Sequence, residues 1–285
     1  MRVLITGAAG LVGAALADAY RADDVTALRH RDLDITDGRA VREIVQRMRP
    51  DVVFNCAVIG VDDCEVNPEL AESINVTGPM DLAAACEEIG AAIVHFSSNY
   101  VFDGERTSGV PYTIDDDAQP VNVYGVTKLR GEHAVAAACR RAFIVRTSWV
   151  FGEGKNSFLS TVAARLARGE RVQAITDTSA SSTYVHDLTA RVMQIVECGV
   201  AGTYQIVNDG VCSYESFAVE AARLIGCNDD VLIQRTSEAA MARLARRPRW
   251  TPMRCLLSER LGFAPMRTWP EALAEFVRTK SAGRP

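Results

Sequence analysis

The chain has 285 residues, a formal net charge of −5 and a sequence pI near 5.5. That length is enough for a large core in one or two domains, and the acidic balance excludes the basic footprint of a nucleic-acid binder. The apolar stretch over 4–19 is broken by glycines, Thr6 and Asp18, so no run spans a bilayer.

The first half alternates strand and helix. Short apolar runs predict strands at 3–6, 25–28, 52–55, 93–96 and 143–147, of the kind buried on both faces of a parallel sheet. Between them the pattern predicts helices at 11–20, 38–48, 69–88 and 123–140. This βαβα order implies an α/β fold with a Rossmann-type doubly wound parallel sheet. After about residue 150 the pattern changes: helices at 157–168, 186–197 and 214–225, strands at 172–175 and 203–207, a last helix at 269–277 and a frayed end at 281–285. The expected division is a dinucleotide-binding domain, 1–150, and a smaller mixed α/β substrate-binding region, 151–285, interleaved with the end of the sheet.

The first strand begins at once and leaves no room for a signal peptide. The eight cysteines are scattered, with no CxxC and no zinc-ribbon spacing. A reduced, cytoplasmic protein without structural disulfides or a metal site is expected.

Strand one runs into Thr6-Gly7-Ala-Ala-Gly10-Leu-Val-Gly13. In such a GxxGxxG loop Gly7 permits the tight turn, Gly10 lets backbone approach a phosphate, and Gly13 lets the helix pack against the strand. Amides at the helix start then hold a pyrophosphate. The second strand ends Leu28-Arg29-His30-Arg31, without the acid that usually meets the ribose 2′-hydroxyl of NAD. A cation there suits a 2′-phosphate, so NADPH is favoured over NADH, with Arg29 or Arg31 as the contact. Asp34 and Ile35 follow and border the adenine in this reading; Thr36 or Asp37 is the better N-cap for the helix at 38.

Strand four ends at Ser97-Ser98, where ligands sit in a doubly wound sheet. Tyr124 and Lys128 are spaced i, i+4 on one helix face. An ammonium beside the phenol lowers its pKa from about 10, so Tyr124 acts as a general acid toward a carbonyl oxygen as hydride reaches the carbon. Lys128 also serves the nicotinamide ribose, and Ser98 donates to the developing alkoxide. The run Arg243-Leu-Ala-Arg246-Arg247-Pro-Arg249 is either a solvated surface segment or an anion clamp for a phosphorylated substrate.

Over almost its whole length the chain resembles the extended short-chain dehydrogenase/reductase family, and within it the dTDP-4-dehydrorhamnose reductase branch. The resemblance rests on the GxxGxxG opening, Leu33-Asp-Ile-Thr-Asp37, Pro50-Asp-Val-Val-Phe-Asn55 and Asn75-Val-Thr-Gly78. It continues through Ser98-Asn-Tyr-Val-Phe-Asp-Gly104, Tyr124-Gly-Val-Thr-Lys-Leu-Arg-Gly-Glu132, Arg146-Thr-Ser-Trp-Val-Phe-Gly152 and the Arg247-Pro248 and Trp269 region. It implies NAD(P)H-dependent reduction at C4 of a nucleotide-activated 4-keto-6-deoxy sugar, with Ser98, Tyr124 and Lys128 catalytic. It further implies that Asn99, Tyr100 and Trp149 line the sugar site. Gly10, Leu11, Val12, Asp34, Ile35, Ala57 and Val58 would contact the cofactor, and Asn75 would fix backbone near the active site. No membrane or nucleic-acid partner is implied, and the assembly is a monomer or homodimer.

The chain departs from the branch at Ser98-Asn99, where Thr-Asp is common, at Ala180-Ser-Ser-Thr183, which borders the substrate region in this reading, and in the loop after Asn55, which lacks an aromatic. Asn for Asp makes a charged hydroxyl acceptor neutral. Two alternatives follow: a reductase of the same fold acting on another keto sugar or a secondary-metabolite carbonyl, and a non-catalytic NADP-binding regulatory subunit.

Overall fold

A computed structural model describes residues 1–227 and 232–282. The strands β1 (Arg2–Thr6), β2 (Asp24–Leu28), β3 (Val52–Asn55), β4 (Ala92–Ser98) and β5 (Ala142–Thr147) are parallel, in the order β2-β1-β3-β4-β5. The later strand Gly202–Gln205 pairs in parallel with β5 and makes the sixth strand at that edge. Successive side chains alternate between two covered faces, which is why these runs read as continuous apolar sequence. Leu4, Val53, Ile93 and Ile144 pack with Val41, Leu82 and Val135 from α2 (Gly38–Met48), α5 (Gly78–Ile89) and α6 (Val123–Ala138). Val3, Ile5, Phe54 and Val94 pack on the other face with Leu16 of α1 (Leu11–Ala19) and Leu188 and Val192 of α8 (Val185–Cys198). The fold is thus the expected doubly wound α/β sheet. Because β2 lies on one side of β1 and β3 on the other, the carboxyl ends of β1 and β3 form its topological switch point.

The single helix expected at 69–88 is three pieces. Asn67 caps α4 (Pro68–Glu72), a π-turn occupies Ser73–Thr77, and α5 follows. The π-turn holds Asn75, fully buried, whose Nδ2 donates to Thr127 Oγ1 at 3.0 Å. Its carbonyl lies so close to α6 that a Cβ on Gly131 would stand 2.0 Å from Asn75 O. The short helix α3 (Val61–Val66) was not expected. Asn122 caps α6, accepting from Gly125 N at 2.7 Å, and that helix ends two residues earlier than its sequence pattern suggests.

In the second half α7 (Phe158–Ala167), α9 (Tyr214–Ile225) and the helix Trp269–Ala282 enclose a core around Phe151, Phe217 and Phe276. Short pairings absent from the sequence reading join it: Val172–Ile175 with Ile233–Thr236, Val150–Phe151 with Thr183–Tyr184, and Ser179–Ala180 between Cys212–Ser213 and Trp250–Thr251. The expected frayed end at 281–285 is helical at 281 and 282, and 283–285 lie outside the described residues. Among the described residues no helix is long and apolar enough to cross a membrane.

Candidate active site

Ser98 closes β4 and caps the 3-10 turn Asn99–Val101, accepting from Tyr100 N at 3.2 Å and donating to Asn99 Oδ1 at 3.2 Å. Tyr124 stands in the first turn of α6, shares the cavity with Ser98 and meets the Tyr100 ring edge-on at 5.7 Å. These side chains, with Asn99 and Trp149, line one cavity of about 380 Å³ at the carboxyl ends of β4 and β5. Asn99 uses both ends of its amide: Nδ2 donates to Thr251 Oγ1 at 2.7 Å, while Oδ1 accepts from Ser98. Trp149 sits at φ +43°, a left-handed conformation that a bulky residue rarely adopts, and its ring packs at 4.1 Å on Tyr214.

Lys128 is buried, and its Nζ donates to Phe96 O at 2.5 Å and lies 3.4 Å from His95 Nε2. Burial pulls its pKa down to about 8, against an upward pull from Glu132. Burial pushes the Tyr124 phenol up to about 12, and the nearby Ser98 hydroxyl draws it only partly back. The expected lowering of Tyr124 by Lys128 is therefore corrected: the ammonium is turned toward β4, and the phenol holds its proton. Behind this pair, Glu132 takes Arg146 in a two-toothed bond at 2.9 and 2.7 Å and accepts from Ser97.

At the switch point Gly7 has φ +66°, and a Cβ there would stand 2.6 Å from the backbone of Cys56 and Ala57; on Gly13 it would stand 2.6 Å from Gly7 O. The α1 terminus that follows has Gly10 as N-cap, no side-chain cap and no acid in its first turn, so the amides around Leu11 and Val12 face an anion unopposed. Arg29 is exposed beside this loop, one residue after Leu28, whose carbonyl accepts from Ala8 N at 3.0 Å. Arg31 leans on Asp32 at 3.7 Å. The glycine loop and the uncapped helix start fit a dinucleotide phosphate. Asp34 Oδ1 accepts from Thr36 N and Oγ1, which holds its carboxyl below the usual range, and Asp37 caps α2. Ile35 is buried against the start of α5, Ala57 N donates to Asn55 Oδ1 at 3.3 Å, and Val58 is exposed.

Several expectations change. The four arginines of the basic run do not converge: Arg246 pairs with Glu105, Arg247 with Asp62 at 2.8 Å, Arg249 is exposed, and Arg243 alone of the four lines the cavity. Ser181 and Ser182 are buried away from it; Ser181 Oγ bridges Gly210 O and Met253 N at 3.2 Å each. Lys155 and Tyr214 line the cavity and were missed. A cation in the glycine-flanked segment Gly154-Lys155 just past Trp149 was the available signal.

Comparisons with known proteins place the chain in one family. The family model described as the RmlD substrate binding domain matches residues 1–281. A dTDP-4-dehydrorhamnose reductase of Mycolicibacterium smegmatis is 40% identical, over 97% of this chain and 85% of its own. A solved structure of a dTDP-4-dehydrorhamnose reductase from Clostridium acetobutylicum superposes with a TM-score of 0.92 at 35% identity, covering 99% of this chain and 100% of that one. Another, from Bacillus anthracis in complex with NADP, gives 0.91 at 32% identity, covering 98% and 99%.

Proposed function

Since the chain belongs to the RmlD substrate binding domain family, the dTDP-4-dehydrorhamnose reductase branch of the extended short-chain dehydrogenases/reductases, we propose that it uses NADPH to reduce the C4 keto group of a nucleotide-activated 4-keto-6-deoxy sugar. The observation that carries this reading is the meeting of Ser98 and Tyr124 at the wall of a cavity shared with Asn99, Tyr100 and Trp149, beside the switch point.

NADPH supplies the hydride when bound. Leu11, Val12 and the loop Gly7–Gly13 hold its pyrophosphate, Arg29 meets the 2′-phosphate, and Asp34, Ile35, Ala57 and Val58 border the remainder; Lys128 serves the ribose. Tyr124, still protonated at neutral pH, gives its phenolic proton to the carbonyl oxygen. A phenol near 12 remains a stronger acid than the alcohol it produces, so proton transfer to the developing alkoxide runs downhill. Ser98 donates to the same oxygen as charge develops. Arg243 and Lys155 offer cations for a diphosphate, and Trp149 and Tyr214 offer apolar faces. In this reading 1–150 binds the cofactor and 151–285 the substrate, with 202–205 returned to the sheet. The enzyme works in the cytoplasm as a monomer or homodimer.

A second reading, another keto sugar or a secondary-metabolite carbonyl, is favoured by Asn99, a neutral amide whose two ends are committed to Thr251 and Ser98. The test is NADPH consumption with dTDP-4-keto-6-deoxyglucose generated together with a 3,5-epimerase. Wild type is expected to turn over and Tyr124→Phe to lose about 10²–10⁴-fold while still binding NADPH. NADPH binding without turnover by wild type refutes this substrate and favours the second reading.

A further inference from the structure

A polar thread crosses the buried sheet from the glycine loop to Lys128. Thr6, the last residue of β1, donates its hydroxyl to Asn55 Oδ1 at 2.8 Å, and the same oxygen accepts from Ala57 N at 3.3 Å. A backbone N–H only donates, so the amide oxygen of Asn55 is fixed on that side. Its Nδ2 therefore faces His95 Nδ1 at 3.1 Å as a donor, and Nδ1 accepts. The His95 ring is fully buried, and burial together with the Lys128 charge holds its pKa well below the ordinary value, so the ring is neutral. A neutral imidazole that accepts at Nδ1 carries its proton on Nε2. That Nε2–H points at Nζ of Lys128, 3.4 Å away. An ammonium has no lone pair to meet it. An amine has one, and can accept from Nε2–H while donating to Phe96 O.

We propose that Thr6, Asn55 and His95 are positioning residues that fix the Nε2–H tautomer and thereby govern both the proton carried by Lys128 and the place where Nζ rests. Above the Lys128 pKa, Nζ rests on the Phe96 carbonyl as an amine, and it serves the cofactor as an ammonium; this rests on the reading of Lys128 as a cofactor ligand. The surroundings leave the tautomer in command. From α3 and the turn after β3, Cys64 and Cys56 face Lys128 as thiols kept protonated by burial. From its own helix comes Glu132, whose charge is matched by Arg146. Thr6 opens the glycine loop and Ala57 lies across from it, so a dinucleotide seated there touches the thread at its far end.

The experiment is nitrogen NMR of histidine-labelled, ligand-free protein, a chain with only four histidines to assign, followed by NADPH titrations across pH. Wild-type His95 is expected as the neutral Nε2–H tautomer. Asn55→Asp keeps the shape and the oxygens for Thr6 and Ala57 but turns an acceptor toward Nδ1, so the proton moves to Nδ1 and Nε2 becomes an acceptor for the ammonium. NADPH affinity of the wild type is expected to fall about tenfold per pH unit above the Lys128 pKa, because binding takes up a proton. In Asn55→Asp the fall begins about one unit higher. A wild-type His95 ring protonated on Nδ1 overturns the inference, and that spectrum needs no variant. An Nε2–H ring with NADPH affinity flat in pH refutes instead the cofactor role of Lys128.

Discussion

Gly131→Ala sets two effects of known size against each other. Alanine in a helix interior is favoured over glycine by about 1 kcal/mol. The added Cβ, however, stands 2.0 Å from Asn75 O and 3.5 Å from His95 Nε2. Overpacking of this kind costs about 1–3 kcal/mol, and more when the neighbour cannot yield. Here the neighbour is backbone, in a π-turn tied to α6 by the Asn75–Thr127 bond, so the upper end of that range applies. The net expectation is a loss of about 2 kcal/mol, equivalent to a Tm lower by roughly 4–8 °C in a chain of this size. The same helix carries Tyr124 and Lys128, and pushing it off the π-turn moves both. A displacement near 1 Å costs on the order of 10² in kcat. Urea unfolding and NADPH turnover measure the two effects. Val126→Ala, on the exposed side of α6, is the control and is expected within about 0.5 kcal/mol of wild type. A Gly131→Ala protein as stable as wild type refutes the close approach of α6 to the π-turn.

Lys128→Met is expected to abolish turnover yet stabilise the ligand-free protein by about 3 kcal/mol at pH 7, the cost of holding a lysine pulled from 10.5 to about 8. The sign gives a pH test in urea melts: the unfolded chain binds the extra proton between about 8 and 10.5, so wild type gains stability as pH rises through that window and the gap closes above it; a gap constant from pH 7 to 10.5 sinks the assignment. Glu132→Gln leaves the buried Arg146 guanidinium without a countercharge and is expected to cost about 3–5 kcal/mol, with little dependence on salt because the pair is buried. A loss below 1 kcal/mol in the same melts contradicts it.

The parts of the fold legible in the sequence are those whose residues repeat one environment. Every residue of Val52–Asn55 and of Ala142–Thr147 is buried, so each reads as an apolar run that turns polar only at its carboxyl end. The strands Val150–Phe151, Ser179–Ala180, Thr183–Tyr184 and Trp250–Thr251 have two residues each, too few to carry a period. The π-turn at Ser73–Thr77 sits inside a continuous helical pattern and is set by what it packs against, the bare backbone of Gly131. At the site, Ser98 could be placed from a strand end and Tyr124 with Lys128 from helix spacing. The direction of the Lys128 ammonium could not, because it is decided by His95 and Phe96 O on another element. A histidine inside the apolar run Ile93-Val-His-Phe96 was a visible oddity that sequence reading passed over.

The segment 245–251, which follows Arg243 of the cavity wall, is held by struts from the first half. Asn99 grips Thr251 Oγ1 at 2.7 Å, Asn122 grips Arg246 O at 2.7 Å, and Asp62 takes Ala245 N at 2.9 Å and Arg247 at 2.8 Å. The segment 245–251 has little regular structure beyond Trp250–Thr251, so these bonds do much to decide where it lies. Two of the struts adjoin the chemistry: Asn99 follows Ser98 in the chain, and Asn122 caps the helix that begins one residue before Tyr124. Substrate fit and catalytic geometry therefore share supports. A substitution that reshapes 245–251 acts on Asn99 and Asn122 as well, and through them on the placing of Ser98 and Tyr124. Specificity changes that move this segment should alter kcat along with KM, whereas changes at Trp149 or Tyr214, whose rings pack on each other in the cavity lining, should fall mainly on KM.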